Sequence, residues 1–166
     1  MNYQNSANLR KLDLSHQDLT EVPADIAGLK QLRVLDLSYN NLTSIPDFLL
    51  ELPHLKTLAV GHNAITSLPL SLAKSSIKDL IADYNRIDFI LPSTLIGLRK
   101  LILSHNRINI GIVRTELPNL TYLDIRYNPS IIIAGSDKLP SIRRYYHDAF
   151  PGNALVPDGM QWYIYK

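Results

Sequence analysis

Histidine and tyrosine alternate along this chain at His16, Tyr39, His62, Tyr84, His105 and Tyr127. Imidazoles can ligate a divalent metal or act as bases near neutral pH. Two of them follow a serine, as Ser15-His16 and Ser104-His105, a pairing that could place a nucleophile beside a base. Arg86, Arg107, Arg126 and Arg144 add positive charge in the C-terminal half, with Asp79 and Asp83 among them. Such guanidinium groups could hold a phosphate or an acidic peptide. What these side chains can do depends on which of them the chain brings together.

The chain brings them together periodically. LRVLDLSYNNL at Leu32–Leu42, LKTLAVGHNAI at Leu55–Ile65 and LRKLILSHNRI at Leu98–Ile108 are three copies of one unit. LRKLDLSHQDL at Leu9–Leu19, IKDLIADYNRI at Ile77–Ile87 and LTYLDIRYNPSI at Leu120–Ile131 are degraded copies. Successive starts lie 23, 23, 22, 21 and 22 residues apart. A period of this length marks a solenoid, in which each unit hides its apolar face only against its neighbours. Counting the first leucine as position 1, positions 4 and 6 flank a short strand and share its inward face, while positions 3, 5 and 7 turn outward. Seven strands about 4.8 Å apart would make a hollow of roughly 29 Å. The asparagine at position 9 (Asn40, Asn63, Asn85, Asn106 and Asn128) stands where the chain leaves the strand. An inward amide there can bridge adjacent turns.

Pro23, Pro46 and Pro69 each stand 14 residues after a repeat start, and proline suits the first turn of a short helix. The returning side of the early repeats is therefore expected as short helices or 3₁₀ turns. Repeats four to six lose this pattern: Pro92 stands 15 residues after its repeat start, and INIGIVRTEL and SIIIAGSDKL carry no equivalent proline, which predicts an extended and irregular return for all three. The expected organisation is one domain over 1–166, with six repeats in 9–141. A partial seventh repeat and an aromatic C-terminal cap fill 142–166, with Tyr145, Phe150 and Trp162 closing the last layer as a hairpin-like element.

These motifs resemble the leucine-rich repeat family over about residues 9–150. The step of isoleucine or leucine to proline is similar to an intracellular subclass found in Ras-pathway scaffold proteins and in effectors that bacterial pathogens inject. The resemblance implies an α/β horseshoe: a parallel β-sheet on the concave face, with short helices, 3₁₀ turns and extended segments on the convex face. It also implies protein binding through the concave face. Ala82 and His147 at core positions depart from the pattern.

On such a ladder every second strand lies about 9.6 Å away, too far for two histidines to share a zinc ion with Zn–N distances of about 2.0–2.1 Å. The stripe is read as repeat consensus, with a stacking or hydrogen-bonding rim for a partner as the alternative. Ser-His neighbours on one strand point apart. Neither a phosphate-cradling glycine loop nor an HExxH or GxSxG motif is present. No catalytic residue, metal or cofactor is expected. In position 5, Ile81 and Ile102 interrupt a column that is aspartate at both ends. The expected binding surface is Ile81 and Ile102 with Tyr84, His105, Lys100, Tyr122, Arg126 and Tyr146. The partner would be a protein or peptide. Regulation of a phosphatase or small GTPase, or binding of a host protein by a translocated effector, are the alternatives. Seventeen basic against fifteen acidic residues in mixed order give no clustered face for nucleic acid. No apolar run is long enough to span a membrane, and no cysteine is present. A cytoplasmic chain, monomeric without its partner, is the expectation, with translocation into a host cell as the alternative.

Overall fold

The computed structural model describes residues 8–113, 117–134, 144–146 and 161–163. Three-residue strands recur once per repeat: β1 (Lys11–Asp13), β2 (Val34–Asp36), β3 (Thr57–Ala59), β4 (Asp79–Ile81) and β5 (Lys100–Ile102). A longer strand, β6 (Asn109–Val113), lies in the return of the fifth repeat. β7 (Tyr122–Asp124), β8 (Ser130–Ala134), β9 (Arg144–Tyr146) and β10 (Gln161–Tyr163) follow. The main sheet has the order β1-β2-β3-β4-β5-β7-β9-β10, and every neighbouring pair is parallel. Equal repeat positions pair, as in Leu12↔Leu35, Leu35↔Leu58 and Leu58↔Leu80. This is the curved leucine-rich repeat solenoid, with its parallel sheet on the concave side.

Parallel strands need a crossover of a dozen or more residues. Here it runs through 3₁₀ turns at Ala24–Gly28, Leu70–Lys74 and Pro92–Leu95 and through a one-turn helix, α1 (Asp47–Leu50). Pro23, Pro46 and Pro69 immediately precede the first three elements in chain order. Between the two layers, positions 1, 4, 6 and 11 fill a continuous core: Leu32, Leu35, Leu37 and Leu42 in one repeat, Leu55, Leu58, Val60 and Ile65 in the next. Ile26, Leu29, Leu49, Leu52 and Leu72 close it from the convex side. Ala82, a small residue at a core position, is fully buried.

Three expectations change. The return of repeat four is not extended, because Pro92 opens a 3₁₀ turn over Pro92–Leu95 although it stands one residue later than the earlier prolines. The return of repeats five and six is extended but not irregular, because β6 and β8 pair in parallel from Asn109↔Ser130 to Val113↔Ala134. Their isoleucines favour a pleated surface, and two successive repeats supply strands of equal length. The C-terminal strand is not the second arm of a hairpin. β10 runs parallel to β9, with Trp162 beside Tyr145, since the segment between Tyr146 and Gln161 is long enough for another crossover. His147, Phe150 and the turn sequences at 151–153 and 157–159 lie outside the described residues.

The position-9 amides tie each turn to the one before. The Asn85 Nδ2 donates to the carbonyls of Val60 (2.9 Å), Ala82 (3.3 Å) and Asp83 (3.0 Å), while its Oδ1 accepts from Ile65 N–H at 2.9 Å. Asn40, Asn63, Asn106 and Asn128 repeat this pattern one rung at a time. The Gln17 side chain, at the same place in the first repeat, donates to the carbonyls of Ser15 and His16 in its own turn, while its backbone N–H donates to Asn40 Oδ1 in the next rung.

One residue earlier the backbone turns left-handed. His16, Tyr39, His62, Tyr84, His105 and Tyr127 all have φ between 49° and 58°, a conformation that disfavours a residue bearing a side chain. Each of the first five donates its N–H to the position-7 carbonyl of the next rung, as in Tyr84 to Ser104 at 3.0 Å. The turn lays the six rings in one column, stacked with centroids 4.0–4.3 Å apart and planes within 22°. That spacing is shorter than the roughly 4.7–4.9 Å between strands, so the column lies on the inner side of the bend. Stacked aromatic pairs contribute about 0.5–1.5 kcal/mol beyond area burial, which offsets the cost of the left-handed turns.

Asn85→Leu is expected to destabilise the fold by about 1–3 kcal/mol, because it strands buried carbonyls and the Ile65 N–H. An unchanged denaturation midpoint would refute that role. Tyr84→Ala removes two stacking interfaces at once and should lower stability by about 1–3 kcal/mol, whereas the loss from His16→Ala, with one stacking interface, should be about half as large. Chemical denaturation of both variants reads the difference.

Candidate protein-binding surface

The outward positions of the strands form two columns in register. Position 3 runs Lys11, Val34, Thr57, Asp79, Lys100, Tyr122, and position 5 runs Asp13, Asp36, Ala59, Ile81, Ile102, Asp124. Ile81 and Ile102 are directly paired, with Ala59 beside Ile81. Both isoleucines stay outside the buried core but are half-buried rather than free in water, since neighbouring rungs flank them. Lys100 and Tyr122 sit in register beside them, with the ammonium 5.1 Å from the ring centroid, a cation–π distance. These four residues form one block on β4, β5 and β7.

The other expected site residues divide. Tyr84 and His105 belong to the ring column where the strands exit, 4.0 Å apart. Their faces are covered by neighbouring rings, so the column presents ring edges, with their hydroxyl and N–H groups, to its surroundings. Arg126 is engaged within the fold. Its Nε and Nη2 donate to the two carboxylate oxygens of buried Asp124 at 3.0 and 2.7 Å. This bidentate pairing holds the guanidinium even more firmly in its charged form. The backbone of Tyr146 pairs with Asp124 in the next rung. Arg86 and Arg107 are exposed beyond the ring column.

The aspartates of position 5 have a local task that their spacing alone conceals. Asp13 accepts from Ser15 N–H at 2.9 Å, Asp36 from Ser38 N–H at 2.9 Å and Asp124 from Arg126 N–H at 3.2 Å. Each closes the turn two residues on, as aspartate does in Asx turns. The Ser15 N–H and hydroxyl also hold the Asp13 carboxyl below its ordinary range. Ser15 thus directs its hydroxyl to Asp13 at 2.7 Å, while His16 stacks on Tyr39; they do not form a nucleophile–base pair. A tyrosine ring separates each histidine from the next. Among the described residues, no group of three or more His, Cys, Asp or Glu could hold a metal ion. No helix among them is long and apolar enough to cross a membrane.

Comparison with known proteins agrees with this geometry. Residues 7–65 match the family model described as leucine rich repeat. No curated protein matches the chain. A Leptospira interrogans LRR protein of known structure superposes with a TM-score of 0.66 at 24% identity, over 89% of this chain and 46% of its own. The plant peptide hormone receptor RGFR1, solved in complex with RGF2, superposes with a TM-score of 0.70 at 26% identity, over 86% of this chain and 25% of its own. The chain therefore spans less than half the length of either. The matched motif over residues 7–65, the asparagine ladder and the parallel one-strand-per-repeat sheet together give the chain the leucine-rich repeat fold.

Proposed function

We propose that this chain is a non-catalytic interaction module that binds a protein partner through its concave face, with Ile81 and Ile102 at the centre. One observation carries the reading. In position 5, aspartates at Asp13, Asp36 and Asp124 close their own turns, and the middle rungs forgo that bond for Ala59, Ile81 and Ile102. Giving up a local hydrogen bond for outward apolar surface is a departure from local consistency of the kind found at functional sites. The apolar centre with polar surroundings matches the distribution of energy in protein interfaces.

Rigidity supports the same reading. The first six rungs are tied together by strand hydrogen bonds, the asparagine bridges and the ring column, so little freedom remains there to be lost on binding. In the plant receptor structure the fold is seen in complex with RGF2, which supports a peptide or protein as the class of partner here.

Ile81→Ser/Ile102→Ser tests the reading without introducing charge. Each isoleucine is expected to contribute about 1.5 kcal/mol to binding, so the double variant should lose partner affinity roughly a hundredfold while melting near wild type. Capture from cell extract on immobilised wild-type and variant chains reads the outcome. A folded variant that retains every protein the wild type retains would remove the central patch from the site.

A further inference from the structure

Position 2 of the repeats is Arg10, Arg33, Lys56, Lys78 and Arg99 in the first five rungs. The structure turns this sequence spacing into a column. The Arg10 carbonyl accepts from Arg33 and Val34 N–H, that of Arg33 from Lys56 and Thr57, that of Lys56 from Lys78 and Asp79, and that of Lys78 from Arg99 and Lys100. One cation therefore stands on each rung, about 4.8 Å from the next, along the edge where the chain enters the sheet. Four of the five side chains are exposed and Lys78 is half-buried. Lys56 and Lys78 rest their ammonium groups on the carbonyls of Ser76 (3.3 Å) and Gly97 (3.0 Å), which leaves their charge uncompensated. Among the described residues the ion pair is Arg126–Asp124, on another column of the rung that follows Arg99. Like charges stacked on adjacent strands are destabilising, and among the described residues no ion pair relieves them.

We propose that this basic edge receives an acidic, extended segment of the protein partner, laid across the strands beside the apolar centre. The proposal rests on the protein-binding reading above and names the chemistry of its ligand. Charge complementarity favours carboxylates. A protein is favoured over a nucleic acid by what adjoins the column: the apolar block of Ile81 and Ile102, and acidic Asp13, Asp36 and Asp79 on the same face. A phosphodiester chain would bring its charge against those aspartates, whereas a polypeptide can offer carboxylates at the edge and apolar or basic groups further in.

The test uses the full chain and a fluorescein-labelled octaglutamate, with octathymidylate as the comparison, followed by fluorescence anisotropy. Octaglutamate should bind at low ionic strength and be released near 1 M salt, where the screening length falls to about 3 Å. Arg33→Gln/Lys56→Gln/Lys78→Gln should weaken it at least tenfold and melt no lower than wild type, since it removes repulsion. Arg86→Gln/Arg107→Gln, at the opposite edge, should stay within about twofold, because rim charges away from the ligand contribute little. Absence of octaglutamate binding, equal loss in the two variants, or tighter binding of octathymidylate through the same residues would overturn the proposal. Ile81→Ser/Ile102→Ser separates the two readings. Octaglutamate has no apolar side chain for the central patch and should bind this variant as it binds wild type. If octaglutamate fails to bind while that variant loses its captured partner, the basic edge falls and the concave-face reading stands.

Discussion

The inward asparagine amide governs this structure. A parallel solenoid must leave its sheet once per repeat, and each exit strands backbone groups in the interior, where an unpaired polar group is costly. Asn106 resolves this for two rungs together: it donates to Ala82 in one and Leu103 in the next, and accepts from Ile87 N–H. Because the same amide spans both turns, the rungs cannot slide past one another without breaking several bonds. Register follows from that, and with it the alignment of every outward column.

The left-handed turn is a consequence of the same constraint. For the position-9 amide to point inward, the preceding residue must bend sharply, and His62, Tyr84 and His105 do so at positive φ. The bend aligns their rings, and stacking returns part of the conformational cost. Alternation of histidine with tyrosine also keeps two imidazoles from lying face to face. Adjacent protonated rings at the observed centroid distance of about 4 Å would repel strongly; a tyrosine between them doubles the separation and offers its π-face to a cation.

The core and its register are legible in the sequence because leucine spacing and asparagine position express one geometric rule repeated six times. Ile81 and Ile102 are legible as outward residues by simple alternation along a strand. The ring column is not, because alternation ends where the backbone turns left-handed, and strand spacing alone places the histidines apart without showing what fills the gap. The aspartates of position 5 read as surface charges until Asp36 is seen to hold Ser38 N–H. The basic edge is hidden by composition: a net charge of +2 averages Arg33, Lys56 and Lys78 with acids that stand on other columns. The extended return of repeats five and six is readable from its isoleucines, but its pairing depends on two repeats having equal length there.

The three columns differ in what they can discriminate. Rungs recur about every 4.8 Å, while same-face residues of an extended peptide recur about every 6.7 Å. A segment laid along the ladder therefore cannot match its carboxylates one to one with Arg10, Arg33, Lys56, Lys78 and Arg99. Recognition at the proposed edge would read charge density and tolerate many acidic sequences. The ring column presents edges at nearly constant spacing and is equally uniform. The position-5 column alone changes character abruptly along the ladder, from Asp36 through Ala59 to Ile81 and Ile102 and back to Asp124. For the partner proposed above, specificity in position along the solenoid would come from the isoleucine pair and the varied position-3 residues beside it, with the basic edge supplying attraction and the asparagine ladder holding both in a fixed frame.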